Sequence, residues 1–247
     1  MNTSDHLSKQ PLLPINLWQI ARLAWYVKTW NLSGVIIARY YERLLRQHGH
    51  SRQALAERSS DKDMEFYQRL FDGIELPARL SVLDIGCGMG DLLDFLQLRS
   101  ATVEAYLGID LVGQFIEICE NEYLPPCRFQ KVNFVSAAFH PDERFNLVVN
   151  MGVLVSRVFQ YEQYLEYCIR KMIALSNKYV VFNVITEVDL SLGNYKNAHR
   201  VGNITCLPKQ RLLAILDRAT RSARAEYQIH EAHIYPDATD AFVRITV

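Results

Sequence analysis

The chain has 247 residues, 49% of them hydrophobic, and its 27 Lys and Arg balance 27 Asp and Glu. That length and apolar content can bury one sizeable core, so a single decorated domain is expected. Balanced charge argues against the basic field that supplies non-specific nucleic-acid affinity, although a net figure hides any local patch. Five cysteines, Cys87, Cys119, Cys127, Cys168 and Cys206, show no Cys-x-x-Cys spacing. They read as small buried hydrophobes in a reducing, cytoplasmic setting, with neither a disulfide framework nor a metal site.

Residues 1–13 are polar and punctuated by proline, as expected of a disordered tail, and lack the basic and apolar regions of a signal peptide. From Ile15 to Trp30 the pattern is helical and holds all three tryptophans, Trp18, Trp25 and Trp30. Gln19, Arg22 and Lys28 interrupt it too often for a membrane span. It reads as a helix packed on the domain, a lid, or a contact with a membrane surface or partner; apolar residues nearly all round favour burial. A second helix is expected over 34–47, stopping near Gly49, then a polar loop over 50–62 and a third helix from Asp63 to Phe71.

The next stretch runs Ser81-Val-Leu-Asp-Ile-Gly-Cys-Gly-Met-Gly-Asp91 and continues as an amphipathic run, Leu92 to Leu96. A buried strand, a tight glycine turn and a helix start follow in that order. Such a turn lets backbone approach a ligand where a Cβ would intrude, beside the free N–H groups of a helix N-terminus. A dinucleotide fingerprint needs Gly-x-Gly-x-x-Gly, but here Asp91 stands where its third glycine would be. Asp84 and Asp91 are poor company for a pyrophosphate and suit a ligand with positive charge, such as the ammonium or sulfonium of S-adenosylmethionine. Ala105 to Asp110 then reads as a second strand ending in an acid, which can accept hydrogen bonds from ribose hydroxyls.

Val82 to Gly90, together with Gly108-Ile109-Asp110, resembles the cofactor half of the class I S-adenosylmethionine-dependent methyltransferases. The resemblance implies a three-layer, Rossmann-like α/β fold whose seven-stranded sheet is mostly parallel with the last strand antiparallel. It also implies S-adenosyl-L-methionine as cofactor, held by Asp84, Gly86, Cys87, Gly88, Gly90, Asp110 and Leu111. Tyr40-Tyr41-Glu42 and the basic helix after it are similar to the N-terminal segment of many small bacterial members, whose early helices close over the cofactor. Tyr40 and Tyr41 are thereby candidate covers for the methionine end, or else core residues. The domain reading is a tail and helical cap over 1–77 and a methyltransferase core over 78–247.

Val112 to Glu122 is expected to be helical, Pro125-Pro126 to end it, and Cys127 to Val132 to form a third strand. Pro126-Cys127 has the form of the cytosine-C5 methyltransferase nucleophile but lies before the wrong strand. Asn133-Phe134 occupies the place of the family's Asp-Phe or Asp-Ala pair beside the adenine; Asn can still accept through its amide oxygen, without charge. Arg144 to Leu154 reads as the fourth strand and its exit, where Asn150 is a cofactor or substrate contact, or a strand-end residue bonded to backbone. The tetrad of amino-directed DNA and protein-glutamine methyltransferases is absent there. A helix from Tyr161 to Ser176 and a fifth strand from Lys178 to Ile185 follow.

Residues 186–207 then read as a long irregular insertion, which the resemblance places over the substrate side, and connections of this length are usually functional or disordered. His199 within it is the first candidate for a general base, ahead of His140 and His233. Pro208 opens a cationic amphipathic helix to Arg218, and strands over Ala223–Ala232 and Ala241–Val247 close the sheet. The expected activity is methyl transfer to oxygen or nitrogen of a small-molecule acceptor, in specialised metabolism. Methylation of RNA or protein, with the Arg-rich helix as docking surface, and cofactor binding without turnover are the alternatives. A basic face around 200–224 would favour RNA, and a closed pocket lined by Trp and Tyr a small acceptor.

Overall fold

The computed structural model describes residues 17–56, 60–99, 101–192 and 204–247. The helices are α1 (Leu17–His48), α2 (Ser60–Leu70), α3 (Asp91–Leu98), α4 (Gly113–Glu122), α5 (Tyr161–Leu175) and α6 (Lys209–Arg221). The strands are β1 (Arg79–Ile85), β2 (Thr102–Asp110), β3 (Cys127–Lys131), β4 (Phe145–Asn150), β5 (Ser176–Val188), β6 (Glu226–Ala232) and β7 (Ala238–Thr246). They form one seven-stranded sheet in the order β3-β2-β1-β4-β5-β7-β6. β1 pairs in parallel with β2 and β4, and β7 runs antiparallel to both β5 and β6. This is the α/β architecture expected from the sequence.

The sheet is buried on both faces, so its central strands carry apolar residues almost without break. Leu80 and Val82 of β1 join α2 and α3 in one cluster, while Leu83 and Ile85 face a second cluster filled by α5 and α6. Strand order reverses on either side of β1. In open α/β sheets the crevice outside the carboxyl ends of the strands at such a switch point is where ligands bind.

Several element ends shift by about three residues, a short 3-10 helix (Arg52–Leu55) lies within the loop read over 50–62, and two departures from the sequence reading are larger. The two early helices are one helix of 32 residues, uninterrupted across Asn31 to Gly34. Polar side chains there bond back to the helix itself: Thr29 Oγ1 donates to Tyr26 O at 2.8 Å, Asn31 Nδ2 to Val27 O at 2.8 Å, and Ser33 Oγ to Thr29 O at 3.1 Å. A break is therefore unnecessary to satisfy them. The expected 186–207 insertion is also shorter than read, because β5 continues to Val188 and Cys206 forms an isolated parallel bridge with Ile185. Among the described residues, no helix is long and apolar enough to cross a membrane.

Trp30 fastens α1 to the domain. Its ring is buried against Tyr164 and Tyr167 of α5, and its Nε1 donates to Phe159 O at 2.9 Å. We expect Trp30→Ala to lower the unfolding free energy by about 3–5 kcal/mol, measured by urea denaturation. A loss under about 1 kcal/mol, the size of an exposed substitution, would mean that α1 is not fastened there.

Candidate active site

β1 ends at Ile85, and the chain passes through Gly86–Gly90 into α3. The turn is pinned to the neighbouring strand: Gly86 and Cys87 donate their N–H groups to Ile109 O at 2.7 and 3.0 Å. Gly86 has φ +78°, and a Cβ there would lie 2.0 Å from Val153 Cγ2 in the segment leaving β4. Only glycine meets both demands. Above the turn lies a cavity of about 330 Å³, bounded by the carboxyl ends of the strands and by α1 and α2.

Asp110, ending β2, opens into this cavity. Its Oδ2 accepts from Gly88 N at 3.1 Å and its Oδ1 from Val112 N at 2.8 Å. Burial pushes its carboxyl up to about 6, while hydrogen bonds from the N–H groups of Val112, Gly88 and Leu111 hold it back. Asp84 lies one strand away and more deeply enclosed, with Tyr106 Oη donating to its Oδ2 at 2.5 Å. Burial raises it to about 7, against the lowering effect of the Tyr106 bond and with the charges of Asp110 and Asp91 adding to the rise. Two carboxyls held above their ordinary range would return to it beside a cation, which the ammonium and sulfonium of S-adenosylmethionine supply. The Cys87 thiol is raised as well, first by its hydrogen bond with Cys119 and then by burial, so it rests as a thiol.

The structure gathers Asp84, Gly86, Cys87, Gly88, Asp110, Leu111, Asn133, Phe134 and Tyr41 around this one cavity. Asn133 follows β3 and sits under α1; its Oδ1 accepts from Val135 N at 3.2 Å. A Cβ on Gly34 would lie 2.6 Å from Asn133 Nδ2, so the helix passes close over this amide. Tyr41, one helical turn along from the cavity-lining Ile37 and Ala38, stands edge-on to Phe115 with centroids 6.5 Å apart. Gly90 is the N-cap of α3 in the left-handed conformation, where it serves the turn.

Asn150 lies outside the cavity wall. It is buried, and its Oδ1 accepts from Leu154 N at 3.3 Å, the geometry of a strand-end residue bonded to backbone. His199 lies outside the described residues. His140 and His233 are exposed and apart from the cavity lining. Sequence reasoning missed the far wall. There Asn183 of β5 accepts from Gly152 N at 2.8 Å through Oδ1 and donates from Nδ2 to Asp240 Oδ1 of β7 at 3.1 Å. Phe66, Tyr164 and Tyr235 add aromatic rings to the cavity lining, Phe66 and Tyr235 standing together with centroids 6.0 Å apart.

A family model described as "Methyltransferase domain" matches residues 82–174. No curated protein matches the chain in sequence. Magnesium protoporphyrin IX methyltransferase from Synechocystis, solved with bound S-adenosylhomocysteine, is similar at TM-score 0.56 and 14% identity, over 87% of this chain and 99% of that one. An S-adenosylmethionine-dependent methyltransferase from Leishmania major gives TM-score 0.62 and 12% identity, over 86% and 82% of the two chains. DhpI in complex with S-adenosylhomocysteine gives 0.56 and 13%, over 88% and 96%. With the glycine turn and its acids already placed, residues 82–174 form a methyltransferase domain, and the fold around them is that of S-adenosylmethionine-dependent methyltransferases. The glycine turn and the paired acids beside it fit S-adenosyl-L-methionine as the cofactor.

Two outcomes check the acids. Asp110→Ala should weaken S-adenosylhomocysteine binding in calorimetry at least tenfold, a loss of about 1.4 kcal/mol or more; unchanged affinity would place the ribose elsewhere. Asp84→Asn should match wild-type stability near pH 4 and exceed it increasingly up to about pH 7. Over that window the unfolded Asp84 carboxyl ionises while the folded one resists, so this position lowers stability in the wild type and not in the variant, whereas Asp110 acts alike in both. Urea unfolding of both proteins across this range reads the gap. A pH-independent gap would mean that Asp84 ionises in the fold at its ordinary value.

Proposed function

We propose that this methyltransferase acts on oxygen or nitrogen of a small-molecule acceptor, held in the aromatic half of the cavity that begins at the glycine turn. The observation that carries this reading is the lining: residues of α1 and α2 flank the cavity, and Phe66, Tyr164 and Tyr235 are among the side chains that line it. A pocket with that lining suits a compact acceptor. Three of the four α6 cations are already paired with acids, which speaks against an RNA face: Arg211 with Glu162 at 2.6 Å, Arg218 with Glu166 at 2.8 Å, and Lys209 with Glu231. Magnesium protoporphyrin IX, named as the substrate of one structural neighbour, is itself a small molecule.

In this reading Asp110 receives the ribose hydroxyls, Asn133 and Phe134 flank the adenine, and Asp84 faces the cationic methionine end with Tyr41 as its cover. The cofactor supplies a methyl group on a cationic sulfur, strongly activated toward a nucleophile's lone pair. The protein's part is to hold the acceptor in line with that methyl and exclude water, and alignment alone can account for much of the acceleration. Asn183, locked between Gly152 N and Asp240, is placed to orient the acceptor. If the nucleophile is a hydroxyl or an ammonium, its proton must leave, and His199 is the proposed base. The five free cysteines fit a cytoplasmic, reducing setting.

Purified enzyme with S-adenosylmethionine should release S-adenosylhomocysteine in the presence of small phenols, alcohols or amines, and should leave bulk RNA and protein unlabelled. Methyl incorporation into RNA or protein alone would overturn the small-acceptor reading. His199→Ala should lower turnover at least tenfold and change cofactor affinity less than twofold. A matching loss in both would make the histidine structural.

A further inference from the structure

The loop that follows β3 is held from behind by a lysine. Lys171 of α5 is half-buried, and its Nζ donates to Phe134 O at 2.6 Å and to Ser136 O at 3.3 Å. The same ammonium stands 5.0 Å from the ring centroid of Phe134 and 5.3 Å from that of Phe139, within the range at which a cation is drawn to an aromatic face. Among the described residues no carboxylate shifts it: burial lowers its pKa, and Cys168 opposes that. An ammonium held half out of water without a counter-charge costs more than an apolar side chain of the same length, so packing alone is a poor reason for a lysine here.

The carbonyl that Lys171 grips belongs to the peptide unit joining Phe134 to Val135. A peptide unit is planar, with its C=O and N–H pointing opposite ways, so fixing one end aims the other. The other end, Val135 N, donates to Asn133 Oδ1 at 3.2 Å. Lys171, this peptide and the Asn133 amide thus form one run of hydrogen bonds, in which a cation at the carbonyl strengthens the N–H donor beyond it. Asn133 and Phe134 line the cavity, while Lys171 stands outside its wall. We propose that Lys171 is a positioning residue for the base of the cofactor: through this one peptide it fixes which end of the Asn133 amide meets the ligand. The inference rests on the placement of adenine beside Asn133 and Phe134 proposed above. Val135 N–H takes one lone pair of Asn133 Oδ1, and the second accepts from the adenine amino group. An amide released from Val135 turns as readily with its Nδ2 toward the base, and the preference for an amino group goes with it.

Calorimetry on the full-length protein with two ligands tests this: S-adenosylhomocysteine, and its analogue in which hypoxanthine replaces adenine, so that an oxo group stands for the amino group. The wild type should bind the adenine form at least tenfold more tightly. Lys171→Met keeps the stem over the two rings and removes the donors, and should narrow that ratio to less than about threefold. Lys171→Arg restores cation and donors and should return the ratio to at least fivefold. Asn133→Ala should narrow the ratio as far as Lys171→Met does, and combining the two should narrow it no further, because the lysine acts through the amide. Should Lys171→Met fail to fold, Lys171→Gln reads the same ratio, with the same narrowing expected. An affinity loss in Lys171→Met that is equal for both ligands would make the lysine structural and overturn the proposal. A wild type without preference, or an Asn133→Ala protein with unchanged preference, would put the base elsewhere and overturn the adenine placement as well. Preference lost in Asn133→Ala but kept in Lys171→Met would leave that placement standing and overturn only the role of the lysine.

Discussion

Much of the candidate site depends on one carboxylate grip. Asp110 holds the Gly88 N–H with one oxygen and the Val112 N–H with the other, tying the β1 turn to the start of α4 across the tip of β2. Each bond to a charged acceptor contributes roughly 1.5–3 kcal/mol. The grip leaves the acid facing the cavity while its own geometry is already set, so little ordering remains for a ligand to impose. Strand order makes this arrangement available. Because β1 lies between β2 and β4, the glycine turn, the β2 acid and the β4 exit converge on one crevice.

That convergence strains against burial. Asp84 and Asp110 sit close together where water is scarce, and each is raised above the ordinary carboxylate range. An empty fold would be more comfortable with one of them neutral. The same tension favours a cationic ligand, which explains why an acid-rich turn replaces the anion-binding design of dinucleotide sites. In the proposed site, the repulsion built into the protein is relieved when cofactor enters.

Legibility followed locality. The stretch from Ser81 to Asp91 announced its strand, turn and helix because every determinant lies within eleven consecutive residues, and Asp110 followed at the end of the next strand. Seven strands could be read from apolar runs and turn residues, since a sheet buried on both faces repeats its pattern plainly. The far wall of the cavity could not. Asn183 and Asp240 meet across 57 residues of chain, and nothing near either position records the other. Asn150 looked equally suited to contact a ligand, but a backbone N–H four residues later reaches its side chain first. The continuity of α1 was hidden for a related reason: Asn31, Ser33 and Gly34 form a breaker cluster in sequence, and the return bonds of Asn31 and Ser33 to the helix become visible only in three dimensions.

The most direct test is amide hydrogen exchange on the full chain with and without S-adenosylhomocysteine. If the cofactor sits as proposed, protection should rise at residues 86–90, at 110–112, and along 37–41 of the covering helix, leaving β6 and the outer end of α1 unchanged. Binding accompanied by protection elsewhere, with the glycine turn and Asp110 unaffected, would contradict the account.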